Sequence, residues 1–338
     1  MEHPFILFMV SVFACYLYAF ISGFTDAAQA IAEVIGSRSL HPTIAVWMAG
    51  FLEIIGALCG TAVALTIGKG IVSLELISLV TVPAAIFGCL FWSLVTYYFG
   101  LPVSETHGLV GGIVGAALGV AGTLNVVNWM GLTRIIMAII AAPLIGFLSG
   151  FLLMGLLDRL LYSVSTRYSA PARKIRRTFI NLQILASAYL AFSHGLNDAQ
   201  KPMGILVMAL ALYYGWKELN VPLWVIISVG FTAGLGVAYG GWRIIKTLGI
   251  RITPLAPEQG FISNFAAGTA LQIASYFGIP VSTTHVDASA IIGVGAARRF
   301  SRVRWNLTIN MFISWIATLP ATIVFGWIFA KLLNLIFI

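Results

Sequence analysis

The chain has 338 residues, of which 60% are hydrophobic and only 9% charged, and its mean hydropathy is +0.98. A soluble domain carries roughly 25% charged residues, so water is excluded as the main solvent and an integral membrane protein is indicated. The formal net charge of +8 sits in short segments between apolar runs, a topological pattern, so the lipid bilayer is the expected partner and nucleic acid is not.

Apolar runs near the spanning length of about 20 residues lie at 5–24, 43–67, 76–101, 129–157, 221–242 and 304–338. Backbone in lipid must satisfy its own hydrogen bonds, and the alternating segments of about ten residues that mark a β-barrel are missing from the sequence, so helices are expected. The first run has no basic residue before it and continues through Asp26 to Ala32 with no cleavage-like end, so it reads as a span rather than a secretion signal. Cys15, Cys59 and Cys89 are odd in number and embedded in apolar sequence, which points to small packed hydrophobes.

The first polar motif is "GFTDAAQAIA" at 23–32, where Thr25, Asp26 and Gln29 interrupt the apolar run. The second is "GLPVSETHGLVGGIVG" at 100–115. Next comes the basic run "RYSAPARKIRR" at 167–177, and polybasic loops stay cytoplasmic. Then "FSHGLNDAQKPMG" at 192–204 places Asn197, Asp198, Gln200 and Lys201 between hydrophobic stretches, and "GIPVSTTHVDASAIIG" at 278–293 repeats the second motif.

The two motifs recur in the same order at nearly the same offset. Asp26 and Asp198 are 172 residues apart, and Ser104 and Ser282 are 178 apart. The organisation that follows is a first membrane repeat at 1–157, a basic cytoplasmic linker at 158–178 and a second membrane repeat at 179–338. With the linker inside and an odd number of crossings per half, Lys69, Lys217 and Lys331 fall outside. Arg134 and Lys201 fall near or within the membrane, and every other Lys and Arg falls inside. Both termini are then outside and the halves run in opposite directions. Inverted repeats with broken helices mark secondary transporters, whose sites lie near the midplane. The fold class expected is an all-α membrane protein of two inverted repeats with broken helices and re-entrant hairpins, roughly 10–12 membrane segments.

A continuous helix over 179–215 would be about 55 Å long against a core of about 30 Å, so it is tilted or broken, with Gly195, Asn197 and Pro202 marking the break. In "PVSETH" and "PVSTTH" a proline ends an incoming helix and a serine caps the next. Each tip then offers backbone N–H groups, a positive helix end and hydroxyls, which suit an anion.

"AFSHGLNDAQKPMG", "GFTDAAQAIA", "LPVSETHGLVGG" and "IPVSTTHVDASAIIGVGAARRFSRVRWN" resemble the inorganic phosphate transporter (PiT) family over essentially the whole chain. The short basic loop is similar to that of compact prokaryotic members. The resemblance implies a transporter and no enzyme, which moves inorganic phosphate across the plasma membrane by sodium- or proton-coupled symport from a site built by both repeats. It implies no cofactor beyond the coupling ion, and a homodimer is compatible with it. The chain departs from the family pattern at Thr25, Gln29 and Glu105, where Asn, Asn and a hydroxyl residue are usual.

Carboxylates at membrane depth cost at least about 2.5 kcal/mol, so Asp26 and Asp198 are expected to hold the coupling cation, sodium if the protein is sodium-driven. Thr25, Asn197 and Glu105 assist them, since hard cations prefer oxygen. The expected phosphate ligands are Ser104, Thr106, Ser282, Thr283, Thr284, Lys201, Gln29 and Gln200. Glu105 is expected to act either as a neutral donor or as a cation ligand. His107 and His285 could relay protons or orient the tips, Glu53, Asn264 and Asp287 could form an outer shell, and Glu33 and Glu258 are expected to face the cytoplasm. Three other readings compete. A cation transporter would use the aspartates alone, a sulfate symporter would use the same tips, and an intramembrane hydrolase would use Ser104 with His107 or Ser282 with His285.

Overall fold

The computed structural model of the protein describes residues 2–167 and 172–337. Among these, the regular secondary structure is helical apart from one isolated bridge between Val72 and Val127. The first half contains α1 (Glu2–Gly36), α2 (Pro42–Leu58), α3 (Ala62–Gly70), α4 (Thr81–Phe99), α5 (Glu105–Ala121) and α6 (Trp129–Arg167). The second contains α7 (Ala172–Asp198), α8 (Gln200–Tyr214), α9 (Leu223–Tyr239), α10 (Trp242–Lys246), α11 (Pro257–Tyr276), α12 (Thr283–Arg299) and α13 (Trp305–Phe337). The basic segment at 158–178 is helical on both sides of residues 168–171, which lie outside the described residues.

Five stretches are long and apolar enough to cross a bilayer, and up to seven if each of two bent pairs counts as one span. With the remaining hairpin arms α5, α11 and α12 there are ten membrane segments. The bent pairs occupy equivalent places in the two halves: α2 and α3 meet at 71°, and α9 and the α10 segment meet at 54°. Large apolar side chains on the outer helices, such as Leu152 on α6 and Leu335 on α13, are exposed toward where lipid would lie.

The breaks are therefore not at the acidic motifs. The α1 helix runs unbroken past Asp26, and α7 passes into α8 at a single residue, Ala199, which keeps right-handed helical angles (φ −64, ψ −22). Gly195, Asn197 and Pro202 do not unwind the chain. Pro202 falls in the first turn of α8, where a backbone N–H has no intrahelical acceptor to lose. The whole stretch Arg173–Tyr214 counts as one 42-residue span, longer than the bilayer core at about 1.5 Å per residue, and its basic start accounts for part of the excess.

Both re-entrant hairpins are present, α4 with α5 and α11 with α12. Glycine rather than proline ends each incoming arm. Gly100 caps α4 at φ 66, and Gly278 follows α11 at φ 65, a left-handed conformation that only glycine adopts without strain. Pro102 and Pro280 come two residues later, in the extended tip.

The halves are woven together rather than set side by side. The first-half helix α1 packs on α9 and α7 packs on α2, while the first hairpin's α5 packs on α13 and the second hairpin's α12 on α6. Gly115 and its repeat equivalent Gly293 make the last two contacts. A side chain at either would collide with a backbone carbonyl, that of Ile323 or of Phe147. Small residues at such crossings let membrane helices approach closely.

Candidate functional site

The tips of the two hairpins meet in the protein interior. Ser104 and Ser282 are the N-caps of α5 and α12. Their hydroxyls accept from the backbone N–H of His107 (3.1 Å) and of His285 (3.2 Å). Two residues on, Thr106 donates to the carbonyl of Val281 at 2.8 Å, and Thr284 donates to that of Val103 at 2.9 Å. These two bonds are repeat equivalents, so each hairpin latches the other by the same residue pair. The first-turn N–H groups of both helices consequently face one region, where their dipoles add.

The acidic motifs lie against this clasp. The Gln29 amide donates to Asp26 Oδ1 at 2.8 Å and to the Thr284 hydroxyl at 2.7 Å. Lys201, fully buried, donates to Asp198 Oδ1 at 2.6 Å, and Thr283 donates to Asp198 Oδ2 at 2.9 Å. Gln29 and Lys201 are repeat equivalents that reach back three residues to their own aspartate, one as a neutral amide and the other as a cation. One ligand atom each from Asp26, Asp198 and His194 lie within 4.8 Å of one another, so carboxylates from opposite halves converge.

Glu105 sits beside them. Its Oε2 accepts from Ser93 at 3.0 Å and lies 3.6 Å from the Cys89 thiol, while Thr25 Oγ1, which also reaches the Ile21 carbonyl, is 3.1 Å from Oε1. Both carboxyl oxygens act as acceptors. His194 bridges two acids, with Nδ1 2.9 Å from Glu53 Oε2 and Nε2 3.3 Å from Asp198 Oδ2. The first contact is a hydrogen bond, whereas the second is an ion-pair distance outside hydrogen-bond geometry.

Several buried oxygens of this group have no hydrogen-bond donor: Asp26 Oδ2, Gln29 Oε1 and Asn197 Oδ1. Buried acceptors of this kind are rarely left alone, and a set of donor-less oxygens beside paired carboxylates suits a hard cation or a ligand that carries its own proton.

Of the residues singled out in the sequence, Thr25 with Glu105, Asp26 with Gln29 and Thr284, and Asp198 with Lys201 and Thr283 form three hydrogen-bonded groups, and Thr106 and the capping serines hold the tips beside them. Asn197 instead ties the hairpin arm, donating to Ser275 at 2.9 Å. Gln200 accepts from the N–H of Val63 and of Ala64 (2.8 and 3.2 Å) and so caps α3. His107 and His285 point behind the tips. Their rings meet edge to face at 4.5 Å, His285 stacks on Trp315 at 4.0 Å, and both line an apolar cavity of about 280 Å³ between α6 and α13. Glu258 is part-exposed and pairs with Arg298 at 2.9 Å, but Glu33 is fully buried in the protein and faces no solvent. His194, Ser93 and Cys89 had been given no role. The four-residue spacing of His194 to Asp198 is a readable signal, whereas Ser93 and Cys89 reach Glu105 only because the hairpin folds back.

Comparison with known proteins decides what this arrangement belongs to. The chain matches the description "Phosphate transporter family" over residues 22–326. The chain belongs to that family. It is 41% identical over 90% of both chains to a protein of Rhizobium meliloti named "Probable low-affinity inorganic phosphate transporter". It is 38% identical over 98% of both chains to the Bacillus subtilis protein of the same name. A solved structure titled "The sodium-dependent phosphate transporter" superposes with a TM-score of 0.89 over 98% of this chain and all of the other, at 26% identity. The protein is thus a multi-pass membrane phosphate transporter and no enzyme, and its two hairpins and acidic motifs are parts of a transport fold.

Proposed function

We propose that the protein is a cation-coupled symporter whose single site for inorganic phosphate lies between the two hairpin tips. The observation that carries this reading is the reciprocal clasp of Thr106 on Val281 and Thr284 on Val103, set directly against Asp26 and Asp198. Phosphate binds to the first-turn N–H groups and hydroxyls of α5 and α12, with Ser104, Thr106, Ser282, Thr283 and Thr284 as ligands and with Gln29 and Lys201 beside it. The capping role of Gln200 removes it from the set.

The coupling cation binds Asp26 and Asp198, with Thr25, Glu105 and the free carbonyl of Asn197 as further oxygens. Lys201 is bonded to Asp198, whereas its repeat equivalent Gln29 is a neutral amide at Asp26, so the first half has no lysine beside its carboxyls Asp26 and Glu105. Cation and phosphate therefore bind cooperatively, each lowering the cost of the other.

Phosphate is favoured over sulfate by the donor-less Asp26 Oδ2. At neutral pH phosphate keeps at least one proton and can donate to that oxygen, whereas sulfate can only accept. In the transport cycle the tips part, and each threonine exchanges its carbonyl partner for the anion. The basic segment at 158–178 stays on the cytoplasmic side of the plasma membrane, with both termini outside. Labelled phosphate uptake into proteoliposomes under an imposed sodium or proton gradient tests the reading, with sulfate as competitor. Uptake that ignores both gradients, or that sulfate suppresses as well as phosphate does, overturns it.

A further inference from the structure

Seven residues along α1 from Asp26, about 10 Å by helical rise, Glu33 is fully buried and meets Asp287 of α12, also fully buried. The two carboxyls face each other within hydrogen-bonding reach. Donors collect on one of them only. The Asn264 amide, with its nitrogen toward Glu33, lies 2.7 and 3.1 Å from the two Glu33 oxygens, and the Ser263 hydroxyl lies 3.4 Å from Oε1. Both oxygens of Asp287 are buried with no donor.

The inverted repeat supplies its own control. At the repeat-equivalent positions Glu33 becomes Ile205, Asp287 becomes Leu109, Asn264 becomes Ile86 and Ser263 becomes Ala85, and all four are completely buried. The same packing is thus satisfied by hydrocarbon in the other half, so the fold does not require carboxyls here. Two touching carboxylates in a water-free pocket cannot both be ionised without a cation between them. The pair therefore shares one proton between its two carboxyls, with Ser263 and Asn264 on the Glu33 side.

We infer that Glu33 and Asp287 form a proton-carrying site separate from the phosphate site, holding one proton that is loaded on one side of the membrane and released on the other. The inference rests on the symport reading above. Its mechanical basis is that Glu33 rides on the helix of Asp26 while Asp287 rides on the helix of Thr284, so parting of hairpin and α1 separates the carboxyls and frees the proton. Titratable groups on the surrounding helices include Asp26 on α1, His194 and Asp198 on α7, Glu258 on α11, His285, Arg298 and Arg299 on α12 and Asp158 and Arg159 on α6. Of these, Arg298 is engaged with Asp158 and Glu258.

Two measurements on the purified full chain test the site. Infrared spectroscopy at neutral pH should show the C=O stretch of a buried protonated carboxyl that sodium does not alter and that Asp287→Asn removes. In proteoliposomes, one coupled proton raises phosphate accumulation about tenfold per unit of pH gradient, the equivalent of about 1.4 kcal/mol. The paired replacement Glu33→Ile with Asp287→Leu, which installs the residues of the other half, should cut that gain by about tenfold while phosphate binding persists. Absence of the band, its survival in Asp287→Asn, its removal by sodium, or an unchanged gradient response in the paired variant overturns the inference. Failure of the parent protein to bind phosphate would instead strike the symport reading and leave the infrared result standing.

Discussion

Thr106 of the first hairpin donates to the carbonyl of Val281 in the second at 2.8 Å, and the bond has a mirror image in Thr284 and Val103. Each is worth about 1 kcal/mol as an ordinary hydrogen bond, and each must be exchanged for a bond to substrate when the tips part. Thr106→Val and Thr284→Val should both weaken phosphate binding, by roughly five- to tenfold for one lost bond. Thr284→Val should do more harm, because Thr284 also accepts from Gln29. Serine at either position should restore most of the binding. Calorimetric titration with phosphate reads the effect, and equal, negligible changes in both valine variants would remove the clasp from substrate binding.

Lys201 is the buried cation of the site, bonded to Asp198 at 2.6 Å. Removing one partner of a buried pair leaves a charge stranded and costs about 3–5 kcal/mol. Lys201→Met should therefore lower thermal stability in detergent severely, and Lys201→Met with Asp198→Asn should recover much of the loss without recovering uptake. A single variant as stable as the parent would mean that another group, such as His194, already compensates Asp198.

Glu105 accepts from Ser93, and both of its oxygens face donors. Its carboxylate adds negative charge next to Asp26, so Glu105→Gln should weaken cation dependence while leaving the fold intact. Uptake measured across sodium and pH titrations should show a flattened response, with the maximal rate reduced by about tenfold if one charge-assisted contact worth about 1.5 kcal/mol is lost. An unaltered ion dependence would exclude Glu105 from cation coupling.

The proposed inverted topology puts the open ends of the two hairpins on opposite faces. Leu124, just beyond α5, and Phe300, just beyond α12, are both well exposed. Cysteines placed there singly, in a background lacking Cys15, Cys59 and Cys89, should react with an impermeant thiol reagent from opposite sides of the membrane. Labelling of both from one side contradicts the proposed topology.

The duplicated motifs made the hairpins legible, because a serine N-cap after a Gly-x-Pro tip has the same local meaning in any solvent. The acidic motifs were legible as a site for a different reason, the cost of Asp26 and Asp198 in lipid. No break occurs at Gly195, Asn197 and Pro202, since Pro202 lies in the first turn of α8, where its missing N–H costs nothing, and Gly195 and Asn197 keep helical backbone within α7. The true bends, at 59–61 and 240–241, carry a weaker local signature. Glu33 is expected at the surface from the sequence but is buried, and its partner lies 254 positions away in sequence. Nothing local announces such a pair.

The weave of the halves also bears on how the protein is made. The α5 arm is translated two hundred residues before α13, the helix whose backbone receives Gly115, and neither α4 nor α5 is packed as it will be until that helix arrives. During synthesis the first hairpin therefore waits in the membrane with His107 unhoused, whereas the second finds its partner α6 already in place. Contacts so distant in sequence are slow to form and leave interim surfaces open to capture, so the early hairpin is the segment most dependent on insertion factors, and shortening the chain from α13 inward should expose it to membrane proteases before any other part.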